Sequence, residues 1–212
     1  RLGEDIHTAV AAQIHGVPLD KVTREQRSGA KMVNFGIVYG VTPFGLARRL
    51  KIDTSAAAEI ITSYKRRFAG IATFLEECIA QARRFGYVET MLKRRRAITE
   101  IDSTNPSRRA LAERLAINSV VQGSAADLIK IAMVDLHGRL SENAPHWRGN
   151  REPEIAGVKM LLQIHDELVF EAPVAVAEKA RDLIVGRMES AMELTVPLKA
   201  DAYIAHNWYE GK

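Results

Sequence analysis

The stretch Val158-Lys-Met-Leu-Leu-Gln-Ile-His-Asp-Glu-Leu-Val-Phe170 decides the fold class, because there the chain stops reading as helix. A long apolar run is interrupted at Gln163, His165, Asp166 and Glu167. Two short strands turning at His165-Asp166 fit it better than a helix. Downstream, Val174 to Leu194 has the spacing of an amphipathic helix. Leu198, Ala200, Ala202 and Ile204 then alternate with Lys199, Asp201 and Tyr203, which predicts a final strand. Upstream, almost everything is helical. The spacing predicts helices over 5–15, from an N-cap at Thr23 to Tyr39, over 43–50, from Asp53 to Phe68, and over 71–84 after a break at Gly70. Residues 87–102 read as a loop or irregular extended piece, and a long helix runs from Pro106 to about Leu140, with Gly123 a point of bending. Residues 143–157 read as a surface loop. The expected class is α+β and mainly helical, with a short antiparallel sheet and packed helices.

Composition narrows the function classes. Hydrophobic residues make up 47% of the 212 and charged residues 26%, an ordinary globular balance. No apolar run reaches the roughly 18 residues a membrane helix needs, and no signal peptide is visible. Cys78 is the only cysteine, so an intrachain disulfide is impossible and a reducing cytoplasm is the default setting. The net charge of +4 is unevenly spread: residues 1–109 hold 19 Lys and Arg against 11 Asp and Glu, and residues 110–212 hold 11 against 15. A basic half beside an acidic half suggests a polyanion partner for the first, although solvated helix faces carry such charges too.

Two constellations carry chemistry. Asp166 and Glu167 stand at a turn between apolar strands, where carboxylates are costly unless compensated. A divalent cation is one compensation, and Mg²⁺ prefers carboxylate and phosphate oxygens. Adjacent strand residues point to opposite faces, so Asp166 is the expected principal ligand and Glu167 a secondary one. An exposed hairpin tip fits the same residues. In Arg24–Gly40, REQRSGAKMVNFGIVYG, Arg27, Lys31, Phe35 and Tyr39 are each four apart. They form one drifting stripe about 18 Å long, basic at the start and aromatic at the end. That order suits a nucleotide with its phosphates at the helix N-terminus, where the dipole favours anions. An ordinary amphipathic helix with a packed aromatic end has the same spacing.

The pattern RxxxKxxxFxxxYG, with Asn34 before the Phe, resembles the nucleotide-binding helix of the bacterial family A DNA polymerases. DIHT at Asp5–Thr8, QGSAADLIK at Gln122–Lys130 and IHDELVFE at Ile164–Glu171 are similar to further segments of that family, in the same order. The resemblance implies that Arg27, Lys31 and His7 hold a triphosphate, with Lys31 acting in the chemistry beside Asp166 and Glu167. It implies that Phe35 packs against the incoming sugar and base, disfavouring dideoxynucleotides, and that Tyr39 occupies the template-base position while the site is open. Arg114, Asn118 and Gln122, again four apart, would meet the duplex, where minor-groove acceptors are nearly the same for all base pairs. His165 would approach the primer end, and Asp166 would bind both Mg²⁺ ions. GYVETMLKRRRAI, from Gly86, resembles the family's YVETLFGRRR segment, with Lys93 where Gly is usual.

The implied subdomains are fingers, 1–104, and part of a palm, 105–212. The implied partners are primer-template DNA, dNTPs and the remainder of the polymerase chain, with no membrane. The implied place is the bacterial cytoplasm, in association with the nucleoid. The family's other catalytic Asp lies in a motif like DYSQIELR, and no such string occurs in these 212 residues, which begin at Arg1 rather than Met. The expectation is a fragment inactive alone. A non-catalytic nucleic-acid-binding module explains the basic half equally, though not the Asp166 hairpin. A metal-dependent nuclease would use His165, Asp166 and Glu167 and leave the Arg27–Tyr39 stripe unexplained.

Overall fold

A computed structural model describes residues 5–140 and 155–211. The expected loop at 143–157 lies largely outside those residues. Two compact units divide the chain, Arg1–Gly123 and Ser124–Lys212, and each is described by itself.

In the first unit, α1 (Ile6–His15) packs on α2 (Arg24–Val38), followed by α3 (Pro43–Leu50), α4 (Thr54–Arg67) and α5 (Ala69–Phe85). Local chemistry sets the ends. The Asp5 side chain accepts from the His7 amide at the start of α1. Thr23 and Gln26 form a reciprocal capping box at the start of α2. Thr42 caps α3, with Pro43 in the first turn. Asp53 occupies the N-cap of α4 but makes no side-chain cap bond. The break between α4 and α5 falls at Phe68, not at Gly70, which sits inside the first turn of α5. Phe68 leaves helical geometry (φ −114°, ψ 60°) while its ring packs 4.8 Å from that of Tyr64.

Residues 87–102 are more ordered than their composition suggests. β1 (Tyr87–Glu89) and β2 (Arg95–Ala97) pair antiparallel, Val88 opposite Arg96. Lys93 takes the left-handed turn position (φ 64°), its amide donating to the Thr90 carbonyl. α6 (Pro106–Leu140) follows, and its first part closes this unit. Gly123 accommodates a close neighbour: a Cβ there would stand 2.6 Å from Thr90 Cγ2. One apolar core joins Val10, Val33, Ile37, Leu46 and Tyr64, and another joins Ala82, Val88, Ile98, Ala112 and Ala116.

In the second unit, β3 (Lys159–Ile164) and β4 (Glu167–Glu171) form the expected hairpin, with Ile164 opposite Glu167 and a bulge between Met160 and Leu162. A 3-10 turn at Val174–Val176 leads into α7 (Ala177–Glu189). This helix stops short of Leu194, where the Ser190 hydroxyl donates to the Gly186 carbonyl. Leu136, Val158, Ala180 and Ile184 form the core. Asp135 of α6 accepts from Arg139 and from Arg187 of α7. Burial pushes its carboxyl up, and those guanidiniums outweigh that and hold it below the usual range.

The final strand does not form. Residues 197–205 have no regular structure, and Tyr203 and Ile204 are exposed. Alternation supplies a face but not a partner, and a strand exists only where its N–H and C=O groups meet a ladder. Here the Ala200 amide donates to the Glu189 carboxylate instead. Among the described residues the sheet content is therefore two two-stranded antiparallel ladders within a mainly helical α+β fold.

Candidate functional site

The stripe on α2 is a surface feature with a buried back. Ala30, Val33, Asn34, Gly36 and Ile37 turn inward, while Arg27, Lys31 and Phe35 face solvent. The Phe35 ring, 44% exposed, is a hydrophobic cost that packing against the rest of this unit does not remove. It stacks near Tyr39, with centroids 6.1 Å apart and planes 10° from parallel. Lys31 Nζ lies 5.9 Å from the Phe35 centroid, and the His7 ring is 5.6 Å from it. The Lys31 cation, the His7 imidazole and the Tyr39 ring thus all lie around Phe35.

Two residues that motif reading left without a role hold this arrangement. Asp5 accepts at Oδ2 from the Thr8 hydroxyl (2.6 Å) and from Arg27 Nε (2.5 Å). Thr8 and Arg27 keep the Asp5 carboxyl well below the usual carboxylate range. Because Nε is engaged, the outer edge of the Arg27 fork is left for another acceptor. Asn34, 4% exposed, places Nδ2 2.7 Å from His7 Nδ1, and its Oδ1 is buried without a partner. This contact engages Nδ1 of His7. An acid and an amide one helix away are invisible as a pair in sequence, since only the packing of α1 on α2 joins them.

Gly40 ends α2 in the left-handed region (φ 71°), and a Cβ there would stand 3.1 Å from Arg114 Cγ. This close approach brings Arg114 to a cavity of about 350 Å³ that is also lined by Phe35, Tyr39, Thr42 and Arg49. Arg49 was not singled out by any motif. Farther along α6, Asn118 keeps a buried Oδ1 without a partner, and Gln122 is exposed.

In the second unit, His165 adopts φ 56° at the hairpin turn, and Gln163 Nε2 donates to its carbonyl. His165, Asp166 and Glu167 are all exposed. The tip is therefore solvated, and its carboxylates do not bear the burial cost expected between apolar strands. Among the described residues, no three His, Cys, Asp or Glu side chains converge to hold a metal ion. Their oxygens are the right type for Mg²⁺, but they do not make a complete site.

The first unit thus carries an exposed cation-to-aromatic stripe, and the second presents a carboxylate hairpin. The family model for DNA polymerase family A matches residues 1–210, and the chain belongs to that family. It is 44% identical over 211 residues to DNA polymerase I of Lactococcus lactis subsp. cremoris, covering 99% of this chain and 23% of that one. It is 46% identical over 212 residues to DNA polymerase I of Rhizobium leguminosarum, covering 98% and 20%. A solved POL domain of Pol1 from M. smegmatis, in complex with DNA primer-template and dNTP, superposes with a TM-score of 0.82 at 38% identity, over 93% of this chain and 33% of that one. The chain thus spans about a fifth to a quarter of the length of these curated relatives. No helix among the described residues is long and apolar enough to cross a membrane.

Proposed function

We propose that the chain is part of a DNA-directed DNA polymerase that adds deoxynucleotides to a primer 3′ end, with residues 1–104 as fingers and 105–212 as part of the palm. The observation that carries this is the exposed stripe on α2, in which Lys31, Tyr39 and His7 all adjoin Phe35 while Asp5 holds Arg27. Arg27, Lys31 and His7 hold a triphosphate. Phe35 supplies a flat apolar face to the nucleotide, and Tyr39 sits at the cavity mouth as the stand-in for a templating base. The M. smegmatis domain, solved with primer-template and dNTP, supports this assignment.

Arg114, Asn118 and Gln122 contact the duplex, their side-chain N–H groups donating to minor-groove acceptors. His165 adjoins the primer end. Asp166 is a Mg²⁺ ligand, with Glu167 beside it and the remaining ligands coming from the rest of a longer chain. Bound Mg²⁺ would offset charge developing on transferring phosphates. The residues of this chain bind and orient the nucleotide. The setting is the bacterial cytoplasm, beside chromosomal DNA.

Primer extension with Mg²⁺ and dNTPs tests the reading, with this chain run beside a longer protein that includes a complete palm and thumb. Extension only by the longer protein, lost on Asp166→Ala, is the expected result. Absence of extension in both would leave a nucleic-acid-binding module as the better account.

A further inference from the structure

One exposed cluster has no part in the assignments above. At the C-terminus of α5, Gly86 takes the left-handed conformation (φ 74°) and its amide donates to the Ala82 carbonyl at 2.8 Å. The Gly86 carbonyl in turn accepts from the Ile98 amide at 2.8 Å, which fixes the reversal against the end of the β1–β2 hairpin. This reversal brings the rings of Phe85 and Tyr87 to a centroid distance of 5.9 Å, tilted by 32°. A guanidinium flanks each ring: Arg84 Cζ lies 4.9 Å from the Phe85 centroid, and Arg95 Cζ lies 4.6 Å from that of Tyr87. The result is a ladder of cation, ring, ring, cation.

The ladder is open to solvent. Phe85 is 50% exposed, and the Arg95 side chain 65%. Glu89 accepts from Arg95 Nε at 2.9 Å and lies 3.7 Å from Lys93 Nζ, so it braces the arginine over Tyr87. Around it, Lys93 to Arg96 are four consecutive bases, so the surface stays cationic despite that one carboxylate.

We propose that Arg84, Phe85, Tyr87 and Arg95 form a stacking platform for single-stranded DNA, the unpaired template strand of the substrate. The proposal rests on the polymerase reading above. Two chemical features select this partner. Two aromatic rings side by side, with a cation at each end, offer apolar faces for unpaired bases and charges for the phosphates that flank them. Duplex DNA offers phosphates but keeps its base faces stacked inside, so the rings would gain nothing from it. Guanidinium planes add a second surface on which a base can stack. The position of Phe85, next to a helix-ending glycine rather than in a core, is accounted for by a ligand that covers it.

The test uses the full-length protein and two primer-templates with the same duplex, one flush and one with a 5′ template overhang carrying 2-aminopurine. Phe85→Ala is expected to weaken binding of the overhang substrate about five- to tenfold and to relieve aminopurine quenching. It should leave the flush duplex nearly unaffected, and Phe85→Trp should retain overhang binding. Equal affinities of Phe85→Ala and parent for the overhang substrate, or an equal loss on both substrates, would overturn the platform. Primer extension by the parent protein is read in parallel. Its absence would remove the polymerase reading, whereas an overhang-specific loss in Phe85→Ala stands as a binding result either way. The exposure of Phe85 keeps the substitution away from the core, and the flush-duplex affinity reports whether the fold is intact.

Discussion

Replacing Gly123 by Ala in α6 sets two effects of known sign against each other. A helix-interior glycine costs about 1 kcal/mol relative to alanine, so propensity alone favours the substitution. The new Cβ, however, would stand 2.6 Å from Thr90 Cγ2, where ordinary contacts begin at 3.4 Å. Thr90 is 7% exposed and β-branched, and its Oγ1 accepts from the Arg94 amide at 3.2 Å, so rotating the methyl away would break a hydrogen bond in the turn. Overpacking of this kind costs about 1–3 kcal/mol. Gly123→Ala should therefore destabilise the chain by about 1 kcal/mol net, as the difference of these two effects. Thr90→Ser keeps the hydroxyl and removes the offending methyl. In that background the same Gly123→Ala change should stabilise by up to about 1 kcal/mol, because only propensity remains. Urea unfolding of the four proteins, followed by circular dichroism, gives the cycle. A Gly123→Ala effect of the same sign in both backgrounds would show that close packing against Thr90 is not why glycine stands there.

Lys93→Gly should stabilise by about 1 kcal/mol, since it relieves a left-handed non-glycine residue and sacrifices only an exposed ion pair with Glu89; a lowered urea midpoint would contradict this. Asp5→Asn in the full-length protein should raise the KM for dNTP several-fold with a smaller change in kcat, because Arg27 loses its anchor while Asp166 and Glu167 are untouched; steady-state extension assays decide it. The folded Asp5 carboxyl is depressed, so its contribution is complete above the ordinary Asp pKa near 4 and is lost only as pH falls toward the lower folded value; a carboxyl ¹³C titration midpoint at or above about 4 would refute the link. Phe35→Tyr should admit dideoxynucleotides that the parent discriminates against, as measured by chain-termination ratios; unchanged ratios would remove Phe35 from sugar selection.

The helical part of the fold was legible because its signals are local. Thr23 caps α2 where the sequence places it, and Pro43 opens the helix read over 43–50. The β3–β4 hairpin was legible for the same reason, its two apolar strands meeting at a two-residue turn. The strand expected near Leu198–Ile204 failed because alternation is necessary for a half-buried strand but does not supply a neighbour. The order in residues 87–102 was missed because its four bases read as loop, while its pairing depends on Val88 being buried against Ala82 and Ala116.

The candidate site divides in the same way. By itself the sequence determined the stripe from Arg27 to Tyr39, since a period of 3.6 residues places every fourth side chain on one face. It also determined that Asp166 and Glu167 share a hairpin tip. Only the tertiary structure decided that Asp5 holds Arg27, that Asn34 orients His7, that Arg114 and Arg49 meet Tyr39 at one cavity, and that the tip carboxylates are solvated. Those pairings join residues far apart in the chain, and they are set by which helices pack together and how closely glycine lets them approach.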